Sequence, residues 1–134
     1  MNINPSKGER KIEDILKQNK ISFQREVSFN DLHGLGNNLL RFDFAIFKQD
    51  QLICLIEYDG EQHFKKISLF DKDEDSFLIR RAHDLIKNKY CFDNDIPLIR
   101  IPYDADYTID DLKLETTRFL LTPENEKEYY ESRT

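Results

Sequence analysis

The stretch LICLIEYDGEQHF, Leu52 to Phe64, decides the fold. Its first half is apolar at consecutive positions. A strand of that kind is covered on both faces, as at the centre of a sheet packed on two sides. It then turns abruptly polar, with Glu57, Asp59 and His63. Glu57 and Asp59 are two apart, so their side chains leave one face of the strand. Chemistry-bearing groups thus stand at the rim of a buried, rigid platform. The plainer alternative is a strand ending in an Asp-Gly turn, with solvated acids at the sheet edge.

Working outward, LLRFDFAIF over 39–47 reads as the preceding strand, joined by the short KQDQ hairpin. Regular alternation places Phe42, Phe44 and Ile46 on one face and Arg41, Asp43 and Ala45 on the other. ISFQREVSF alternates as a half-buried strand, and NDLHGLGNN is turn chemistry. SKGE has the form of a capping box, with Ser6 as N-cap and Glu9 reaching back. Ile12, Ile15 and Leu16 then predict a helix from Lys7 to Asn19. On the C-terminal side, residues 60–76 are polar and partly irregular. Phe77, Leu78, Ala82 and Leu85 mark a long helix ending near Tyr90. IPLIRIPY is another short apolar strand. TIDDLKLETTRFLL is amphipathic, with Thr108 as a candidate N-cap, and predicts a last helix. The order is helix, three strands, helix, strand, helix. That is an α/β fold, a small mixed central sheet flanked by helices, in one domain over residues 1–122. Residues 123–134 are acidic and are expected to fray, so that their deletion leaves the core almost unchanged.

The chain has 134 residues, 39% hydrophobic and 34% charged. That composition suits a soluble globular domain. No apolar run approaches the roughly 20 residues that span a bilayer. The N-terminus lacks an apolar secretory segment, so a cytoplasmic rather than secreted protein is expected, in a bacterial host or a virus-infected cell. Cys54 and Cys91 sit in apolar surroundings without a CxxC pair, as core thiols of a reducing compartment. A zinc site from these cysteines and the histidines fails on spacing. The formal net charge of −6 counts against nucleic acid as a partner.

Asp43, Glu57 and Asp59 come from two consecutive strands and converge if the hairpin register allows. Converging carboxylates repel one another unless a cation lies among them, and carboxylate oxygens with water and a phosphate describe a Mg²⁺ site. His63 follows Asp59 by four residues. A sharp turn at Gly60 would return its imidazole over the acids, where it could exchange a proton with water or a leaving oxygen. Arg80, Asp84, Lys87 and Cys91 recur at helical spacing. They form either a solvated ridge with an Arg80–Asp84 pair, or a functional one, in which Asp84 orients His63 or a metal-bound water and Lys87 meets a phosphate. Lys65, Lys66, Arg80, Arg81, Lys87 and Lys89 give local positive charge. His33 and His83 carry no signal of their own.

GERKIEDIL, LRFDFAIF, LIEYDGEQHF, HDLIKNKYC and IPLIRIPY, in that order, resemble the Vsr-like branch of the PD-(D/E)XK nucleases. Within it they are most similar to the EDxHD group of phage-borne and intron-borne homing-type endonucleases. The resemblance spans about Gly8 to Tyr103. It implies a metal-dependent endodeoxyribonuclease using Mg²⁺, with Mn²⁺ as a substitute, acting on duplex DNA. It implies Asp43 and Glu57 as metal ligands, with the carbonyl of Tyr58 beside them. Glu9 matches the first-helix acid, and His63 and Asp84 match the final His and Asp of the group's name. Gln62 and Lys87 would meet the scissile phosphate, and Lys65, Lys66, Arg80 and Arg81 the nucleic acid. Asp59 stands where most of the superfamily has lysine, which leaves proton abstraction to His63 or to water activated by the metal. A homodimer or larger assembly would supply DNA specificity. A non-catalytic interaction module on the same fold, or an RNA-directed nuclease, is the alternative.

Overall fold

In the computed structural model, which describes residues 5–65 and 74–133, the capping box sets the first helix. Ser6 Oγ accepts the Glu9 N–H at 3.1 Å, and Glu9 Oε1 accepts the Ser6 N–H at 3.4 Å. Helix α1 runs Lys7–Gln18 and buries Ile12 and Leu16. Strands β1 (Ser22–His33), β2 (Leu39–Lys48) and β3 (Gln51–Asp59) follow as an antiparallel meander. The turn from β2 to β3 places Gln49 and Asp50 in left-handed backbone, φ 53° and 61°. That geometry matches the twist of a two-residue hairpin. Helix α2 spans Glu74–Asp93 and returns the chain to β4 (Leu98–Pro102), which pairs parallel to β3. The sheet order is β1-β2-β3-β4-β5, with β5 the two-residue Leu120–Leu121, so β3 is central. Lys66 and the other residues read as irregular between 66 and 73 lie outside the described residues.

Each face of the sheet buries one apolar layer. On the α1 side lie Ile12, Leu16, Phe44, Ile46, Cys54, Ile56, Ile99, Ile101 and Leu112. On the α2 side lie Leu32, Phe42, Ala45, Leu55, Cys91, Leu98 and Leu121. The fold is therefore mixed α/β, and no helix among the described residues is long and apolar enough to cross a membrane.

Three local expectations are corrected. Phe42 and Phe44 do not share a face: Phe42 joins the α2-side layer and Phe44 the α1-side layer. The β2–β3 ladder ends at Phe44↔Ile56, and opposite Asp43 the backbone of Glu26 is left-handed, φ 55°. Regular alternation fails where the β2–β3 ladder stops and the β1 backbone opposite is left-handed.

The amphipathic segment from Thr108 is not a helix. Its capping box forms, with Asp111 Oδ2 accepting the Thr108 N–H at 3.0 Å, but only a 3-10 turn over Ile109–Leu112 follows. Thr116 Oγ1 donates to the Asp110 carbonyl and Thr117 Oγ1 accepts the Phe119 N–H. These hydroxyl–backbone bonds compete with a helical ladder. Leu120 and Leu121 then cover the edge of β4.

The acidic tail is ordered. Residues Glu126–Glu131 form α3, and Tyr130 is buried. Phe64 packs against Tyr103, Tyr129 and Tyr130, with ring centroids 5.8, 5.4 and 6.0 Å away. Aromatic burial outweighs the repulsion of the surrounding glutamates.

Candidate functional site

The central feature is where β2 and β3 part. Beyond Phe44↔Ile56 the main-chain ladder stops, and side chains take its place. Asp43 N–H donates to Glu57 Oε1 at 2.7 Å, and Tyr58 N–H donates to Asp43 Oδ2 at 2.8 Å. The N–H and C=O of one strand residue leave on the same side. The Tyr58 carbonyl therefore faces the edge that Asp43 occupies. These groups line an open cleft of about 600 Å³ with Ser6, Lys7, Gly8, Glu9, Gly60, Gln62, His63 and Lys87.

Helix α1 reaches the cleft because residue 8 is glycine. A Cβ there would overlap the Tyr58 ring at Cζ, so the phenol lies directly on the helix backbone. That contact sets Glu9 at the cleft wall, with Arg25 Nη2 3.6 Å from Glu9 Oε2. Burial, the nearby Glu57 charge and, more weakly, Glu9 hold the Asp43 carboxyl well above the usual carboxylate range. Lys87 compensates in part: its Nζ lies 2.5 Å from Glu57 Oε2 and over the ring of Phe42.

After Asp59 the chain folds back through a 3-10 turn, Glu61–His63, from which Phe64 is buried as an anchor. Arg80 Nη1 donates to the Gln62 carbonyl at 2.9 Å and Arg81 Nη2 to the His63 carbonyl at 3.0 Å. The two arginines expected to contact nucleic acid thus clamp the turn that carries His63. Lys65 is exposed, near Glu61 and the Tyr103 ring, and Lys66 lies outside the described residues.

His63 Nδ1 is 2.9 Å from Asp84 Oδ2. Asp84 is buried, and although burial opposes ionisation, Arg100 and His63 together hold its carboxyl below the ordinary value. An ionised carboxylate only accepts, so Nδ1 carries the proton and Nε2 is left for the cleft. Burial disfavours the imidazolium, but Asp59 and the Asp84 hydrogen bond outweigh it and raise the His63 pKa above 6.5.

Asp59 does not line the cleft. It is fully buried behind His63, with Oδ1 2.7 Å from Arg100 Nη1, and Oδ2 accepts the Tyr129 hydroxyl at 2.6 Å. Arg100 faces Glu57 across the parallel β3–β4 register and is itself fully buried. Its guanidinium also lies 3.9 Å from Glu57 and 3.7 Å from Asp84. Ligand atoms of Asp59, His63 and Asp84 come within 4.8 Å of one another, close enough to hold a metal. Arg100 already supplies a cation to both of those acids, so the trio fits a buried relay better than a second metal centre.

The Asp43–Glu57 pair fits a metal by a different test. It offers hard oxygen donors, with the Tyr58 carbonyl on the same edge. One of its carboxyls is held in an unfavourable charge environment. Mg²⁺ or Mn²⁺ suits such donors.

Asp43, Glu57, Tyr58, Glu9, Gln62, His63 and Lys87 thus share one cleft, while Asp59 and Asp84 stand behind it. The sequence did not single out Lys7, Arg100 or Tyr129. The signal for Arg100 was one charge inside the otherwise apolar IPLIRIPY run. His83 also has a role: its Nε2 accepts the Leu35 N–H at 3.0 Å and pins the β1–β2 turn to α2.

A stretch of 48 residues, 36% of the chain, is 40% identical to "Uncharacterized protein 307L" of Invertebrate iridescent virus 6. The match spans 24% of that protein's length. No family model and no solved structure matches the chain.

Proposed function

We propose that this protein is a divalent-metal-dependent endonuclease that hydrolyses DNA phosphodiester bonds. The observation that carries the reading is the exchange of main-chain and carboxylate hydrogen bonds between Asp43 and the Glu57–Tyr58 pair, in a cleft that His63 and Lys87 also line. The resemblance to Vsr-like PD-(D/E)XK nucleases of the EDxHD group draws on the same residues.

Asp43, Glu57 and the Tyr58 carbonyl would hold the cation. When bound, such an ion neutralises phosphate charge and makes water a better nucleophile. His63 moves a proton at Nε2, while Asp84 holds Nδ1–H and fixes the ring. The Asp59 charge and the Asp84 hydrogen bond raise its pKa above 6.5, which stabilises the imidazolium formed when the ring takes a proton and from which it can return one to a leaving oxygen. Lys87, released from Glu57, and Gln62 contact the phosphate. Glu9 orients water from the opposite wall. Lys7 and Lys65 add positive charge at the rim. Buried, unpaired Cys54 and Cys91 fit work in the cytoplasm of a host or virus-infected cell. The partial likeness to a viral protein sits with a phage or mobile-element setting.

The formal charge of −6 favours a second reading, a non-catalytic interaction module with the same cleft. Incubating the protein with supercoiled plasmid and Mg²⁺ or Mn²⁺, with and without EDTA, separates the two. The nuclease reading expects nicked or linear product that EDTA abolishes, and intact plasmid in every lane contradicts it.

A further inference from the structure

The C-terminal helix closes a buried network whose other end is the His63 ring. Tyr129 donates its hydroxyl to Asp59 Oδ2 at 2.6 Å, and Arg100 Nη1 lies 2.7 Å from Asp59 Oδ1. Both carboxylate oxygens are therefore held, one by β4 and one by α3. Arg100 Nε donates to Asn88 Oδ1 at 2.8 Å. The Asn88 amide in turn donates to Glu126 Oε2 at 2.8 Å and lies 3.1 Å from the Tyr130 hydroxyl. Three residues of α3 thus meet the network at two points.

His63 Nδ1 has two acids to choose from. It lies 2.9 Å from Asp84 Oδ2 and 3.5 Å from Asp59 Oδ1. The nearer acid wins because Asp59 is turned to Arg100 and Tyr129. With the Tyr129 hydroxyl gone, Asp59 would keep one donor and a free oxygen in a site where it is fully buried. The carboxylate would then be free to turn, and the His63 ring, already 3.5 Å from Asp59 Oδ1, would tilt from Asp84 toward Asp59.

We propose that Tyr129, through Asp59 and Arg100, is a positioning residue for His63, so that the C-terminal helix is part of the site. The inference about rate rests on the nuclease reading; the inference about the ring does not. Tyr129 also packs its ring on Phe64 and Tyr130, at 5.4 and 5.0 Å between centroids. Tyr129→Phe keeps those contacts and removes only the hydroxyl, whereas deletion of the helix would uncover Phe64 and test folding instead.

Two measurements are made on the full chain. The first is plasmid cleavage with Mn²⁺ at several DNA concentrations. The second is a long-range ¹H–¹⁵N spectrum of the imidazoles, with His63 assigned by its loss in His63→Gln. For Tyr129→Phe, kcat falls by about tenfold to a hundredfold, as expected when a reacting group is displaced on the order of 1 Å, and KM changes less than twofold. The His63 nitrogen shifts move, while those of His33 and His83 stay. Lys127→Ala, on the exposed face of the same helix and outside the network, leaves both readouts at wild-type values. Wild-type kcat in Tyr129→Phe, or a fallen kcat with an unmoved His63 spectrum, overturns the proposal. Failure of the wild type to cut overturns the nuclease reading, and the His63 shifts then decide the positioning by themselves.

Discussion

Asp43 gives its main-chain N–H to Glu57 Oε1 and takes the N–H of Tyr58 on its own Oδ2, at 2.7 and 2.8 Å. The two acids therefore serve as sheet bonds as well as candidate metal ligands. This changes which substitution probes them. Alanine at position 43 leaves the part-buried Tyr58 N–H without its acceptor, at a cost of about 1–3 kcal/mol. Asparagine keeps an acceptor oxygen and removes the charge. Asp43→Asn is expected to match or exceed the wild-type melting temperature in EDTA and to lose the rise that Mn²⁺ gives the wild type. Thermal shift with and without Mn²⁺ measures both. A wild-type Mn²⁺ response in the variant would remove Asp43 from the ligand set.

Lys87 holds Glu57 Oε2 at the place a cation would claim. Lys87→Met removes that competitor. Mn²⁺ is expected to bind several-fold more tightly in calorimetry while cleavage falls, because the phosphate loses its ammonium partner. The melting temperature in EDTA should drop, since removing one partner of a largely buried ion pair strands the other charge. Weaker Mn²⁺ binding in the variant would mean that Lys87 shapes the site instead of blocking it.

Much of this was legible locally. The Ser6–Glu9 capping box, the doubly apolar β3 and the short β4 each declare themselves within a few residues. What stayed hidden depends on contacts between segments far apart in the chain. Phe42 and Phe44 part because Asp43 bonds a side chain from β3, which no alternation rule contains. Tyr129 lies 70 residues from Asp59, in a stretch whose acidity suggests a loose end. The Thr116–Thr117 pair, β-branched and bonded to backbone, was the available warning against the last helix.

The His63–Asp84 pair makes stability depend on pH. The folded pKa of His63 is above its unfolded value of 6.5, so its contribution is complete below that pH and is lost as pH rises through the folded value. Asp84 is shifted the other way: its contribution is complete above 3.8 and is lost as pH falls through its lower folded value. Urea unfolding from mildly acidic to mildly alkaline pH should show stability declining on the alkaline side in the wild type and a flatter profile in His63→Gln. Parallel profiles would mean that His63 has the same proton affinity folded and unfolded.

Gly8 tests how α1 reaches the cleft. A methyl group there would overlap the Tyr58 ring, so the ring or the helix must move. Gly8→Ala is expected to cost about 1–3 kcal/mol, as overpacking does, despite the better helix propensity of alanine. Urea denaturation gives the value. A neutral or stabilising effect would show that Tyr58 yields freely and does not fix Glu9.

The most direct measurement of the central claim is conversion of supercoiled plasmid by four purified proteins side by side: wild type, Asp43→Asn, Glu57→Gln and His63→Gln, each with Mn²⁺. The account predicts product from the wild type alone, with the three variants slower by at least about a hundredfold, in keeping with loss of a general acid–base or metal-holding group. Equal cleavage by wild type and variants would contradict it, since the activity would then lie outside this cleft.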